Sequence, residues 1–248
     1  NLYKLYEEAG TPIEWQKDLF DYAHEIGISC FSTPFDEYGV DILMDLDTPA
    51  FKIASFEMAD HGLLERIGQS KKPVLMSTGL ASLEDIEESI NVLKDAGNED
   101  LLIFHCISSY PAPMEQSNLK MIPFLRKKFN VEVGLSDHTL GTTASVAAIS
   151  LGATAIEKHY TLRRSDGGPD SGFSLEPDEL NTLVTDTKNA WLALGADEFK
   201  RPTIEKDNIV FRRSLYFTKD LKKGDEISND NVKSIRPGYG IAPKFLKQ

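Results

Sequence analysis

Cysteine is nearly absent from this chain: Cys30 and Cys106 are the only two. Both sit in apolar runs, so no disulfide framework is expected, and a reducing, cytoplasmic setting is the default. No apolar run reaches bilayer-spanning length and no signal-peptide pattern is present. Positive charge is also scarce. With 27 Lys and Arg against 39 Asp and Glu, the formal net charge is −12, which argues against nucleic-acid partners and a polybasic membrane patch. An anionic small substrate is still allowed, because a pocket can be locally basic inside an acidic protein. The glycine patterns GxGxxG and Walker A are missing too, which removes the usual phosphate turn of an open doubly wound sheet.

What remains is ordinary for a protein that buries a core: 248 residues, 41% hydrophobic and 27% charged. The chain opens at Asn1 inside a helical pattern over residues 2–9, and residues before it are expected. Thr11, Pro12 and Glu14 make a helix start, with cap, proline and acid in order. That helix carries Trp15, Leu19, Phe20, Ala23 and Ile26 on one face and stops at Gly27. Short apolar runs then recur at 28–32, 51–54, 73–77, 101–106, 131–135 and 153–158, each followed by a loop and a helical pattern. The clearest helices span 83–96, with Ser82 as cap, 119–128 and 143–151. Runs apolar on both faces at roughly 22–30-residue spacing are the mark of βα units in a parallel sheet.

Polar residues gather at nearly every strand end, as in a (β/α)8 TIM barrel, whose chemistry lies at the C-terminal ends of its strands. The α/β barrel is therefore favoured over the doubly wound sheet. Six units leave it short of two strands, expected before Asn1. The barrel domain is assigned to residues 1–195, a linker to 196–208, and a small β-rich appendage, with a strand at 211–218, to 209–248. So short a segment is a poor independent core.

His138 and His159 end adjacent strands one βα unit apart. Neutral imidazoles at matched strand ends suit a divalent ion with positions left for water and substrate. Asp137 and Glu157, beside them in sequence, either point to alternate faces or support the ligands. His105 could add a third ligand, although a structural role fits it better, and His24 and His61 read as surface residues. Lys52 lies in an otherwise apolar run, where a cation is costly unless it meets an anion. With Thr33, Ser55, Ser77 and Ser136 it would supply the donors that a phosphate and a carboxylate require. Lys158 is equally well a snorkelling side chain. Glu57 is placed to act as general acid or base. The loop RRSDGGPDSGFSLEP after the last strand is positioned to cover a ligand, with Asp170 as its candidate contact.

Read together, FSTPFD at 31–36, KIASFE at 52–57, VLMSTG at 74–79, HCxxxYP at 105–111, SDHT at 136–139, EKHYT at 157–161 and GGPDSGFSLEP at 167–177 resemble the sialic acid synthase family. KIASFE and the glycine-rich loop are most similar to its pseudaminic acid branch. The HCxxxYP segment carries Ser108 and Ser109 where the neuraminate branch has an asparagine. RRSLYFTKDLKKGDEIS and RPGYGI resemble the family's antifreeze-like (SAF) domain, whose second half is expected to lie beyond these residues. The resemblance implies metal-dependent condensation of phosphoenolpyruvate with an open-chain amino sugar, giving a nine-carbon 2-keto acid and phosphate.

In that reading His138 and His159 hold manganese, cobalt or magnesium and serve catalysis with Glu57, the proton-transfer group. Thr33, Lys52, Ser55, Ser77 and Ser136 bind phosphoenolpyruvate, and Asp170 touches the sugar or the metal's water. Arg236 would reach the other subunit's site in a domain-exchanged homodimer. A chain without the family's first two barrel strands is expected to turn over weakly. N-acetylneuraminate and legionaminate synthesis are the alternatives within the family. A Schiff-base aldolase using Lys52 or Lys158 and a non-catalytic sugar-binding barrel are the alternatives outside it.

Overall fold

The computed structural model describes residues 10–246, so the helical pattern at 2–9 lies outside it. The chain divides into two units, Asn1–Gly195 and Ala196–Gln248.

In the first unit, α1 (Ile13–Glu25) and α2 (Glu37–Asp45) lead into a βα alternation. It runs β1 (Phe51–Ile53), α3 (His61–Gln69), β2 (Val74–Ser77), α4 (Leu83–Asp95) and β3 (Leu101–Cys106). It continues with α5 (Met121–Phe129), β4 (Glu132–Asp137), α6 (Thr143–Ser150), β5 (Ile156–Lys158) and α7 (Pro177–Leu194). The five strands pair in the order β1-β2-β3-β4-β5, every pair parallel. A doubly wound sheet reverses its order at a switch point; sequential order with right-handed crossovers keeps the helices on one face. On that face Ile53, Val74, Met76, Ile103, Val133 and Leu135 pack with Leu64, Ile67, Ile90, Leu93, Ile122 and Leu125 from α3, α4 and α5. Each such fully buried side chain contributes about 1.5–3 kcal/mol.

Local chemistry explains the boundaries. Ser82 caps α4 through a reciprocal box with Asp85, accepting from its N–H at 3.1 Å while the Asp85 carboxylate accepts from the Ser82 N–H at 2.7 Å. Gly97, at φ +80°, takes the left-handed turn that ends it. Gly134 in β4 has a different reason: a Cβ there would stand 2.7 Å from the Phe104 ring, so only glycine lets that ring lie across the inner face.

Two sequence expectations change. The run 28–32 is not a strand but a single parallel bridge, Ser32 to Phe51. Lys52 N–H donates to Ser32 O at 3.2 Å, and Pro34 has no N–H to extend the ladder. Thr11 does not cap α1, whose cap position is Pro12, with no side-chain hydrogen bond. On the apolar face of α1, Trp15, Leu19 and Ile26 are exposed and Phe20 packs against the core cluster.

In the second unit β6 (Ser214–Phe217) pairs antiparallel with β7 (Val232–Ile235). The predicted strand at 211–218 contracts to these four residues because a 3-10 turn, Asp207–Phe211, runs up to it. A further 3-10 turn, Thr203–Glu205, forms where the sequence reads as linker. β7 was not predicted, since NVKSI offers too short an alternation to read.

Candidate active site

Register carries polar side chains onto the inner face of the sheet. Ser77 lies opposite Phe104, Phe104 opposite Gly134, Cys106 opposite Ser136, and Ser136 opposite Glu157. Because successive strand residues alternate faces, Ser136 and Glu157 share their side with His138 and His159, two residues further along. Asp137 and Lys158 then share the other side.

Contacts agree with this division. Lys52, buried in β1, donates to Ser77 Oγ at 2.8 Å and Ile53 O at 3.2 Å, and its Nζ lies 3.5 Å from Glu157 Oε2. Ser136 donates to Glu157 Oε1 at 2.7 Å. Glu157 thus gathers the lysine and a serine that sequence reasoning had assigned to an anion. Behind the strands, Lys158 is sealed in a pair with Asp137 at 3.0 Å, whose carboxylate also accepts from Ser145 at 2.6 Å and Thr139 Oγ1 at 2.7 Å. Lys158 belongs to the core and Asp137 supports no histidine.

At the strand ends, the ring centroids of His138 and His159 are 5.3 Å apart. His138 Nδ1–H donates to Ile107 O at 2.9 Å, which leaves the lone pair on Nε2. Burial pushes the His138 pKa down, but its contacts with the Cys106 thiol and the Ile107 carbonyl outweigh this and hold it up. Burial lowers the His159 pKa despite Asp170, 3.4 Å from Nδ1. Two imidazoles, one oriented by a backbone carbonyl and one kept neutral by burial, fit a divalent ion with open positions. Among the described residues no group of three or more His, Cys, Asp or Glu has metal-holding geometry. His105 faces away, its Nε2 meeting Ser117 O at 2.8 Å, and is not a third ligand.

Glu57 follows β1 in a turn, and its Oε2 is buried without a hydrogen-bond partner among the described residues. Burial raises its pKa, the attraction of Lys52 being too weak to compensate. Ser55 Oγ accepts the Gly79 N–H at 3.0 Å. A Cβ at Gly79 would stand 2.1 Å from Ser108 Oγ and 2.8 Å from Ser55 Oγ, so glycine keeps both hydroxyls around one backbone donor. Thr33 follows the Ser32 bridge to β1 and lines a cavity with Pro34, Asp36 and Ile13. Arg236 belongs to the second unit, one residue beyond β7.

Three residues were missed by sequence reasoning. Tyr110 lies 4.2 Å from His138 and 5.8 Å from His159, ring to ring. Phe173 covers His159 at 4.9 Å. Cys106 forms the floor, its Sγ 3.7 Å from Ser55 Oγ and 4.0 Å from His138 Nδ1. HCxxxYP and GFSLEP held the signal, but nothing in their spacing brings two loops onto one histidine.

The NeuB family model matches residues 1–199. The chain belongs to the NeuB family. Pseudaminic acid synthase of Campylobacter jejuni is 45% identical over 247 residues, covering 100% of this chain and 72% of that protein. The pseudaminic acid synthase of Helicobacter pylori is 38% identical over 250 residues, covering 100% and 73%. In three dimensions the NeuB chain is similar to the N-acetylneuraminic acid synthetase of Leptospira borgpetersenii in complex with citrate. That match has TM-score 0.79 and 32% identity over 83% of this chain and 72% of the other. The parallel sheet thus curls as a half-barrel of the kind found in sialic acid synthases.

Proposed function

We propose that this NeuB chain is a pseudaminic acid synthase, condensing phosphoenolpyruvate with 2,4-diacetamido-2,4,6-trideoxy-altrose. The observation that carries the reading is the inner-face row: Lys52, Ser77, Ser136 and Glu157 lead to the paired histidines His138 and His159, with Asp170 beside His159. Cation and hydroxyls suit a phosphorylated carboxylate; the histidines and the Asp170 loop suit a polyhydroxylated aldehyde. The pseudaminic branch rests on the 45% and 38% identities to two such synthases.

In this reading Lys52, Ser77, Ser136, Ser55 and Thr33 hold phosphoenolpyruvate, and Asp170 holds the sugar. The enol C3 forms the new bond to the aldehyde carbon, water adds at C2, and phosphate departs with carbon–oxygen cleavage. Glu57, kept protonated to a higher pH by burial, is suited to deliver or collect the proton that these steps exchange. Manganese, cobalt or magnesium on His138 and His159 would supply Lewis acidity toward the aldehyde oxygen. Tyr110 and Phe173 pack against the histidine rings and hold their orientation.

The family reading also assigns the sheet to a (β/α)8 barrel and the second unit to an SAF domain. Arg236 would then be exchanged between subunits of a homodimer. A Schiff-base aldolase gains no support: Lys158 is committed to Asp137, and Lys52 to Ser77 and Glu157.

The test is phosphate release by the full-length protein with phosphoenolpyruvate, comparing the trideoxy-altrose with N-acetylmannosamine, with and without divalent metal. Release with the trideoxy sugar, abolished by chelator and restored by metal, is expected. Turnover with the mannosamine alone overturns the branch, and chelator-resistant turnover overturns the metal.

A further inference from the structure

Asp170 and Phe173 both stand on the segment after β5, and both act on His159. Nothing in regular secondary structure holds them there: the intervening backbone is loop and single 3-10 turns, Arg164–Asp166 and Ser171–Phe173. The neck of this loop is closed by two backbone bonds, Leu175 N–H to His159 O and Thr161 N–H to Leu175 O, each 2.9 Å. Within the neck one side chain joins every part. Arg164 donates through Nε to Ser174 O at 3.0 Å and through the guanidinium to Glu179, with Glu176 at 3.7 Å. Its own backbone N–H donates to Glu176 Oε1 at 2.8 Å. Glu179 accepts from the Glu176 N–H at 2.9 Å, so the two carboxylates that hold Arg164 are themselves fixed as the first turn of α7. On the far side, buried Ser174 donates to Asp170 O at 2.7 Å. A continuous line of polar contacts therefore runs from α7 through Arg164 and Ser174 to Asp170, and ends at His159.

We infer that Arg164 is a positioning residue: it fixes the 163–175 loop to the first turn of α7 so that Asp170 and Phe173 stand against His159, and it thereby sets affinity for the sugar aldehyde rather than for phosphoenolpyruvate. The inference rests on the proposed condensation for its substrate assignment. Among the described residues Arg164 has no polar contact with either histidine or with the inner-face row, so its direct contacts are confined to the loop and α7. Planar fork geometry is what lets one side chain meet a carbonyl and two carboxylates at once, and a lysine cannot reproduce it.

The test compares wild type, Arg164→Met, Arg164→Lys and Glu179→Gln in the full-length protein. In the phosphate-release assay, Arg164→Met raises the KM for the amino sugar about tenfold or more, because loosely held contacts forfeit orientation. The KM for phosphoenolpyruvate changes less than about twofold, since Lys52 and its hydroxyls are untouched. Arg164→Lys behaves like Arg164→Met, and Glu179→Gln shifts the same KM in the same direction by less. Equal rises in both KM values, or full rescue by lysine, overturn the assignment. Amide hydrogen exchange over residues 165–175 reports on the loop without substrate. It should quicken about tenfold or more in Arg164→Met, and an unchanged rate overturns the inference whatever the assay gives. Wild-type protein releasing no phosphate with either sugar, but with exchange quickened by the substitution, would count against the proposed reaction while upholding the role of Arg164 in fixing the loop.

Discussion

At the scale of single residues, environment matters more than identity. Glu57 and Glu157 are both carboxylates near Lys52, yet they are in opposite situations. Glu157 has partners for both oxygens, whereas Glu57 has a buried oxygen with none among the described residues. Burial therefore holds the Glu57 carboxyl above the usual range in the folded protein. Between the unfolded and folded pKa values the folded chain binds more protons, so this residue's contribution to stability falls as pH rises through that window. Glu57→Gln removes the ionisation. Its advantage in thermal unfolding should be larger at about pH 8 than at about pH 3, where the Glu57 carboxyl is largely protonated in both states, while phosphate release falls about 100-fold or more. An advantage independent of pH would mean the carboxyl is unperturbed. The histidines make a sharper case: His138→Ala or His159→Ala should bring bound divalent metal close to zero by atomic absorption, and retained stoichiometry would sink the ligand assignment.

At the scale of elements, β4 and β5 do two jobs with one alternation. Their inward residues build the site, and their outward residues Asp137 and Lys158 lock the strands from behind. Lys158→Met should destabilise the protein by about 3–5 kcal/mol in denaturant titration, because it strands a buried carboxylate. It should leave binding of phosphoenolpyruvate to intact protein unchanged. A loss of binding without a loss of stability would move Lys158 into the site. From sequence, the two histidines one βα unit apart, the apolar runs and the cap at Ser82 were all legible, because periodicity and capping are local. The run at 28–32 was not, since a strand exists only where neighbours supply its ladder bonds, and among the described residues Ser32 alone in that run pairs with a strand.

At the scale of the whole molecule, an acidic chain of net charge −12 carries buried Lys52 at its candidate site. None of the described helices is long and apolar enough to cross a membrane. The two units also allow a test of exchange between subunits. If Arg236 acts across a homodimer, Arg236→Ala and His138→Ala proteins should each be inactive. After unfolding and refolding together, the mixture should regain up to about a quarter of wild-type activity, because half the dimers are mixed and each contains one intact site. No recovery would place Arg236 in its own subunit's chemistry or outside the site.

Local pattern alone established that this is a parallel α/β chain with two strand-end histidines, a cation in an apolar strand and a glycine-rich loop after the last strand. Those are consequences of short-range periodicity and of residue chemistry. Alternation along one strand, however, leaves open which face is inside and which residue of the next strand lies opposite. Pairing settled both. It joined Ser136 to Glu157 and Lys52 to Ser77, turned His105 and Lys158 away, and brought Tyr110 and Phe173 from two loops onto the histidines. Such contacts join residues far apart in the chain, and only the packed sheet fixes them.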